Sequence, residues 1–317
     1  MKRFAMIGVG GYIAPRHLKA IKDTNNELIV AMDIHDSVGI MDSYFPDAEF
    51  FTDFSQFEAF INDEKLAGRP LDYVSICSPN FMHLPHIQFA LRNGLNVICE
   101  KPLVLQSENL ATIERYEEKF DAKVNAILQL RLHSIIKKLR DKVEASPPNK
   151  IFDVDLTYMT CRGKWYERSW KGEPKKSGGV AANIGIHFFD MLHFIFGDLD
   201  YSELHFRDEK TCAGYLKFKR ANVKWFLSID STHLPKNAVQ GEKLTYRSIK
   251  VEGEEIEFSG GFNDLHTLSY EEILSGNGYR VAENLSAIQI VESIQKTEVL
   301  KSSKFKHPSV QKIDPEQ

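Results

Sequence analysis

The sequence predicts an α/β protein: an N-terminal Rossmann-type doubly wound parallel sheet, then an α+β domain with a mostly antiparallel open sheet. Three observations predict it. Continuous apolar strands alternate with amphipathic helices over residues 1–125. A glycine turn joins the first strand to the first helix. Past Glu144–Lys150 the strands change to a period-two alternation, the mark of antiparallel strands with one packed face.

In order, "FAMIGV" (Phe4–Val9) reads as a strand buried on both faces. "GYIAPRHLKAIKDT" turns helical, with Ala14, Leu18 and Ile21 on one stripe and Pro15 suited to the first turn. "ELIVAMD" (Glu27–Asp33) is a second strand ending in an acid. Then come "DYVSICSP", the helix "HLPHIQFALRNG", the strand "NVICEK", the helix "SENLATIERYEEKF" and the strand "KVNAILQL". This alternation means right-handed crossovers. "IFDVDLTYMT", "GYLKFKR", "VKWFLSID" and "YRSIKVEGEEIEF" read as the strands of the second sheet, interrupted by the helix "ANIGIHFFDMLHFIFG". A last helix, about Val281–Thr297, is expected to pack back on the first domain, giving domains 1–125 and 126–300 and a polar, poorly ordered tail 301–317.

Composition excludes several classes. Of 317 residues, 40 are basic and 44 acidic, for a net charge of −4, which suits no general nucleic-acid surface. The N-terminal apolar run is broken by glycines, Pro15 and Arg16, so it is not a signal peptide. No segment reaches the ~20 apolar residues of a membrane span. The four cysteines are scattered and form no C-x-x-C, so reduced thiols in a cytoplasmic protein are expected. The open face of the second sheet suggests a homo-oligomer, dimer or tetramer.

Gly8, Gly10, Gly11, Tyr12 and Ile13 follow the first strand directly. The first glycine serves a tight turn and the second lets the backbone approach a pyrophosphate at the helix N-terminus. Ile13 replaces the third glycine of G-x-G-x-x-G, so the motif draws its weight from context: strand before, helix after, and Asp33 ~20 residues on. Asp33 would accept from the adenosine ribose and repel the extra phosphate of NADP, which points to NAD. The bland alternative is a glycine turn that binds nothing.

Open α/β sheets bind ligands beyond the carboxyl ends of their strands. Ser78 and Asn80, then Glu100 and Lys101, fall at such ends. A lysine there aims an ammonium at the ligand cleft; otherwise it is a surface residue past a strand. Asn183, His187 and Asp190 are spaced i, i+4, i+7 on one helical face, with His193 on another. Oxidation of an alcohol needs a base for the hydroxyl proton, and a histidine suits that near neutrality.

"GVGGYIAPRHLKAIKD", "DYVSICSPNFMHLPHI", "VICEKPL" and "SGGVAANIGIHFFDMLHFIFG" together resemble the Gfo/Idh/MocA oxidoreductase family. With "NAILQLRLH", "DVDLTYMTCRGKWYERSWKG" and "DLHTLSYEEILSG", the chain is similar to its branch of UDP-N-acetylglucosaminuronate 3-dehydrogenases (WlbA/WbpB type) of bacterial surface-polysaccharide synthesis, from Met1 to about Thr297. The resemblance implies NAD as cofactor, with Gly8, Gly10, Gly11, Tyr12, Ile13, Asp33, Ser78, Asn80, His83, Glu100, Lys101 and Gln129 around it. It implies Lys101 on the hydroxyl being oxidised, His187 beside it, and Asn183 completing the catalytic set. Many members carry aspartate at the Asn183 position, and a neutral amide cannot stabilise an imidazolium as a carboxylate would. Whether Lys101 or His187 is the base therefore stays open. The branch further implies a UDP-sugar uronate as substrate and 2-oxoglutarate as a means of recycling the cofactor.

"CRGKWYERSWKGEPKK" (Cys161–Lys176) holds six basic residues, two acids, two tryptophans and a tyrosine. Arg162, Trp165 and Lys171 suit a substrate with two phosphates and a carboxylate, and Arg131 and Arg247 are further candidates. The bland alternative is a solvated loop. His83 and His86 lack an acid or cysteine set, so no metal site is expected. The competing functions are an NAD-dependent glycosidase and a non-catalytic nucleotide sensor on the same fold.

Overall fold

The structure, a computed structural model, describes residues 1–236, 238, 244–256 and 264–313. The chain forms two compact units: Met1–Leu132 with Asn263–Leu285, and His133–Phe262 with Ser286–Gln317.

In the first unit, β1 (Arg3–Ile7), β2 (Glu27–Met32), β3 (Glu49–Phe51), β4 (Tyr73–Ile76), β5 (Asn96–Cys99) and β6 (Val124–Ala126) form one parallel sheet in the order β3-β2-β1-β4-β5-β6. The strand order reverses between β1 and β4, the switch point where such sheets bind ligands. Phe4, Met6, Val74, Ile76, Val97 and Cys99 are buried, as continuous apolar runs require. Helices α1 (Ala14–Asp23), α2 (Phe54–Leu66), α3 (His83–Arg92) and α4 (Glu108–Phe120) make the crossovers. Asp53 caps α2 by accepting from Gln56 N at 3.0 Å.

The helix Leu265–Leu274 also belongs to this unit. Its Tyr270 is fully buried, its ring 5.9 Å from Phe4 and its hydroxyl 2.6 Å from Ser75 Oγ. The sequence placed this segment in the second domain. Position along the chain misled there, because the apolar face of this helix completes the first core.

In the second unit, β7 (Phe152–Thr160), β8 (Leu199–Arg207), β9 (Thr211–Phe218), β10 (Ala221–Ser228), β11 (Thr245–Val251) and β12 (Glu254–Glu255) form a sheet in the order β12-β11-β7-β10-β9-β8. Only the β7–β10 pair is parallel among these described strands. Helix α5 (Ser134–Glu144) opens the unit, and Glu257–Phe258 of the last expected strand lie outside the described residues. Helix α6 (Ile186–Phe196) covers one sheet face: Phe189 meets Trp225 edge-on at 5.3 Å and Phe188 lies 4.9 Å from Tyr158. A Cβ at Gly185 would lie 2.6 Å from Leu227 Cδ1, so a small residue is needed at this approach.

The opposite face is partly covered by the C-terminal segment. Phe305 stacks on Tyr215 at 4.4 Å, His307 stacks on Phe226 at 5.7 Å and bonds Thr157 Oγ1 at 3.1 Å, and Val310 is fully buried. The expected poorly ordered tail is thus a packed segment ending in the helix Pro308–Ile313. Buried His307 and Val310 and half-buried Phe305 outweigh its composition. The helix Leu285–Lys296 also bonds within the second unit: Ser293 Oγ lies 3.0 Å from Ser202 Oγ, and Arg207 Nη1 donates to the carbonyls of Ile294 and Gln295, each at 2.9 Å. From Ser286 onward it groups with the second unit. The stretch Pro174–Phe196 is long and apolar enough to cross a membrane by length and composition, contrary to expectation, and 72% of its most apolar 18-residue window is buried within the protein.

Candidate active site

The glycine turn is built for close approach. Gly8 has φ +87°, and a Cβ there would lie 2.7 Å from the backbone of Cys77 and Ser78. A Cβ at Gly11 would lie 3.0 Å from Gly8 O. Gly10 N donates to Asp33 Oδ2 at 2.9 Å, and His35 N donates to Oδ1 at 3.0 Å. The β2 carboxylate is thereby fixed beside the turn. Ile13 caps α1, and Tyr12 is exposed. No third glycine is needed where Ile13 stands, since Ala14 N bonds Gly11 O at 3.0 Å and starts the helix directly. A backbone cradle that any Cβ would fill, with an acid at the next strand end, fits a dinucleotide.

Ser78 and Asn80 are buried at the β4 end. Ser78 Oγ lies 2.9 Å from His86 Nδ1, and burial pushes His86 down to about 4. His83 departs from the cofactor role expected of it: its Nδ1 faces Pro102 O at 2.7 Å and its Nε2 faces Ser78 O at 2.9 Å. Both ring nitrogens lie against backbone carbonyls; burial holds the ring below its usual value, and its one N–H donates to one of the two. His83 thus ties the Ser78 loop to the turn after β5.

Glu100 also departs. Its carboxylate is buried, with Oε1 accepting from His17 Nε2 and His266 Nε2, both at 2.9 Å, and Oε2 from Lys101 N at 3.2 Å. Burial alone would raise its pKa, but the two imidazole bonds outweigh it and hold the group well below the carboxylate range. It faces the core rather than a ligand. Lys101 itself is half-buried, and its peptide bond to Pro102 is cis. Gln129 is buried with Oε1 lacking any hydrogen-bond partner, an acceptor suited to a bound polar group. Arg131, expected on the substrate, pairs with Glu283 Oε2 at 2.7 Å and stacks on Tyr279 at 4.9 Å, both within the first unit.

In the second unit, Asn183 lies in a π-helical turn, Ala181–Gly185, that precedes α6. Asn183 and His187 are half-buried and Asp190 is buried; His187 and Asp190, three residues apart in α6, keep one face, while the π turn lies between Asn183 and that face. Asn183 Nδ2 donates to the hydroxyl of Tyr166, whose pKa burial raises. The basic aromatic stretch is ordered into short helical turns, Lys164–Arg168, Trp170–Gly172 and Pro174–Ser177. Arg162 Nε is buried without a hydrogen-bond partner, with the guanidinium 6.0 Å from the Tyr166 ring. Trp165 is about half exposed, and Lys171 Nζ sits 3.9 Å over Trp170. Arg247 lies over Tyr158 at 5.3 Å, beneath the strand end rather than in the loop.

Sequence reasoning missed Tyr166 as a partner of Asn183, and His17 and His266 as partners of Glu100. One signal was present: His266 and Tyr270 of "LHTLSY" are spaced i, i+4, which puts two polar rings on one face of a helix.

The chain matches the Gfo/Idh/MocA family over both halves: "oxidoreductase family, NAD-binding Rossmann fold" over residues 2–127, and "oxidoreductase family, C-terminal alpha/beta domain" over residues 150–311. Its structure is similar to the WlbA (WbpB) dehydrogenase from Thermus thermophilus in complex with NAD and α-ketoglutarate: TM-score 0.93, 46% identity, covering 97% of this chain and 99% of that one. The same Thermus protein in complex with NAD and UDP-GlcNAcA gives 0.93 and 45% at the same coverage. Glucose-6-phosphate 3-dehydrogenase of Bacillus subtilis is 25% identical over 199 residues, 62% of this chain, which spans about half, 54%, of that relative's length. The chain belongs to the Gfo/Idh/MocA oxidoreductase family, and its cofactor is NAD.

Proposed function

We propose that this protein oxidises the hydroxyl on carbon 3 of UDP-N-acetylglucosaminuronate to the 3-keto sugar. The observation that carries this reading is the 45% identity, over nearly the whole of both chains, to a dehydrogenase seen with both NAD and UDP-GlcNAcA. Bound NAD supplies the hydride acceptor. The turn Gly8–Ile13 holds the pyrophosphate, Asp33 the ribose, and Ser78, Asn80 and Gln129 the remaining polar groups. Lys101 hydrogen-bonds the hydroxyl and stabilises the alkoxide as hydride departs. His187 shares the proton, because Asn183 brings no negative charge to favour an imidazolium. Arg162, with its unpartnered buried Nε, takes an anionic group of the substrate. Trp165, Lys171 and Arg247 complete the substrate set.

The α-ketoglutarate complex of the Thermus relative supports 2-oxoglutarate as the partner that returns the cofactor to NAD. A place in surface-polysaccharide (O-antigen) synthesis, in the cytoplasm and as a homo-oligomer, follows from the branch resemblance. The test is a substrate panel with purified protein and NAD. UDP-N-acetylglucosaminuronate should give the highest kcat/KM, with UDP-N-acetylglucosamine, myo-inositol and glucose 6-phosphate far behind. Preference for any of the last three refutes the reading.

A further inference from the structure

Five side chains in the first unit form one buried chain of hydrogen bonds. Ser75 Oγ lies 2.6 Å from Tyr270 Oη, and Tyr270 Oη lies 2.8 Å from His17 Nδ1. His17 Nε2 and His266 Nε2 both lie 2.9 Å from Glu100 Oε1. All five are buried. They come from four separate elements: β4, α1, the end of β5, and the helix Leu265–Leu274. A buried carboxylate survives only where donors satisfy it. Here the donors are two imidazoles, each giving its Nε2–H.

The other oxygen faces one way only. Glu100 Oε2 accepts from the backbone N of Lys101. On the far side of that residue, Pro102 O is held by His83 Nδ1. The Lys101–Pro102 segment thus has a buried side chain at each end, Glu100 at Lys101 N and His83 at Pro102 O. The remaining titratable neighbours reinforce the arrangement: Cys77 and Cys99 have thiols pushed well up by burial and by the Glu100 charge, so Glu100 is the charged member of its surroundings.

We propose that His17 and His266 are positioning residues that act through Glu100 to fix the Lys101 backbone, and so the aim of its ammonium during alcohol oxidation. The inference rests on the role given to Lys101 under the proposed function. It also explains why a helix from the far end of the chain is built into the first unit: it delivers His266 and Tyr270 to the strand end that carries the lysine. The same three groups could hold a metal, since their ligand atoms lie within 4.8 Å of one another. Nothing satisfies His266 Nδ1, however, and metal-bound histidines ordinarily anchor their second nitrogen.

The test has two arms. Lysine labelling with an amine-reactive reagent, read peptide by peptide on the NAD-bound protein, needs no substrate. His266→Gln should change the labelling rate of Lys101 several-fold and leave exposed Lys19 unchanged. The second arm is a double-mutant cycle on kcat. His266→Gln should lower kcat about 10- to 100-fold, the cost of a misplaced group, with NAD affinity unchanged. In a Lys101→Met background it should cost nothing further. Glu100→Gln should behave alike, and if it fails to fold, His266→Gln carries the cycle alone. Unchanged Lys101 labelling, additive losses, or one equivalent of tightly bound metal in the purified protein would each overturn the network. Wild-type turnover by Lys101→Met would overturn the lysine's role as well, and this inference with it.

Discussion

Asn183 donates its side-chain amide to the phenolic oxygen of Tyr166, one turn before His187. Burial keeps the Tyr166 hydroxyl protonated, so it is free to donate onward. The pair supplies a fixed, neutral hydrogen-bonding edge where the family resemblance leads one to expect a carboxylate. Asn183→Ala and Tyr166→Phe should each lower kcat/KM about fivefold, the worth of one net hydrogen bond of about 1 kcal/mol. The double variant should be no worse than either single one. Steady-state kinetics on the three variants decide it, and independent, multiplying losses would count against the pairing.

Cofactor choice depends on Asp33. Its carboxylate is held by the main chain of Gly10 and His35, so it cannot swing away from an added 2′-phosphate. NAD should bind much more tightly than NADP, and Asp33→Ala should narrow the gap by weakening NAD and relieving the repulsion of NADP. Fluorescence titration of both cofactors checks this. Equal affinities in the unaltered protein would be the adverse result.

Arg162 has a buried, unpartnered Nε, while Lys171 already rests on Trp170. The two cations should therefore differ. Arg162→Ala should raise KM for the nucleotide sugar by the loss of one charge-assisted contact, about 1.5–3 kcal/mol. Lys171→Ala should change it less. NAD affinity should stay constant in both. An unchanged KM in both variants would favour the solvated-loop reading.

His307 links the C-terminal segment to the second sheet, and burial, aided by Lys224 and Lys312, pushes it down to about 4. Its folded pKa lies below the ordinary imidazole value, so the unfolded chain binds the extra proton first. The stability this ring contributes is complete above about pH 6.5 and is lost as pH falls from there toward about 4, up to about 3 kcal/mol. His307→Phe should flatten that part of the profile. Thermal melts between pH 7 and pH 4 measure it, and an unchanged slope in the variant would assign the loss to another group such as His86.

The first unit was legible because its signals are local. An apolar run, a glycine turn and an amphipathic stretch each fit within a dozen residues, and Gly8, Asp33 and Lys101 stand where strand ends put them. What escaped reading is non-local. His266 reaches Glu100 across 166 positions, and His307 reaches Thr157 across 150. The tail's polarity concealed Phe305 and Val310, and residue spacing could not reveal the π turn that carries Asn183. The ion pair of Arg131 with Glu283 spans 152 residues and was likewise not legible in the sequence.

The most direct measurement is product analysis with purified protein. UDP-N-acetylglucosaminuronate is incubated with the enzyme, with and without 2-oxoglutarate, and the sugar is examined by mass spectrometry and NMR. The expected result is a ketone at carbon 3, in multiple turnovers when 2-oxoglutarate is present, and at least ~100-fold less of it with Lys101→Met, within the range for lost acid–base help. An unaltered sugar, a ketone at another carbon, or full turnover by Lys101→Met would contradict the assignment.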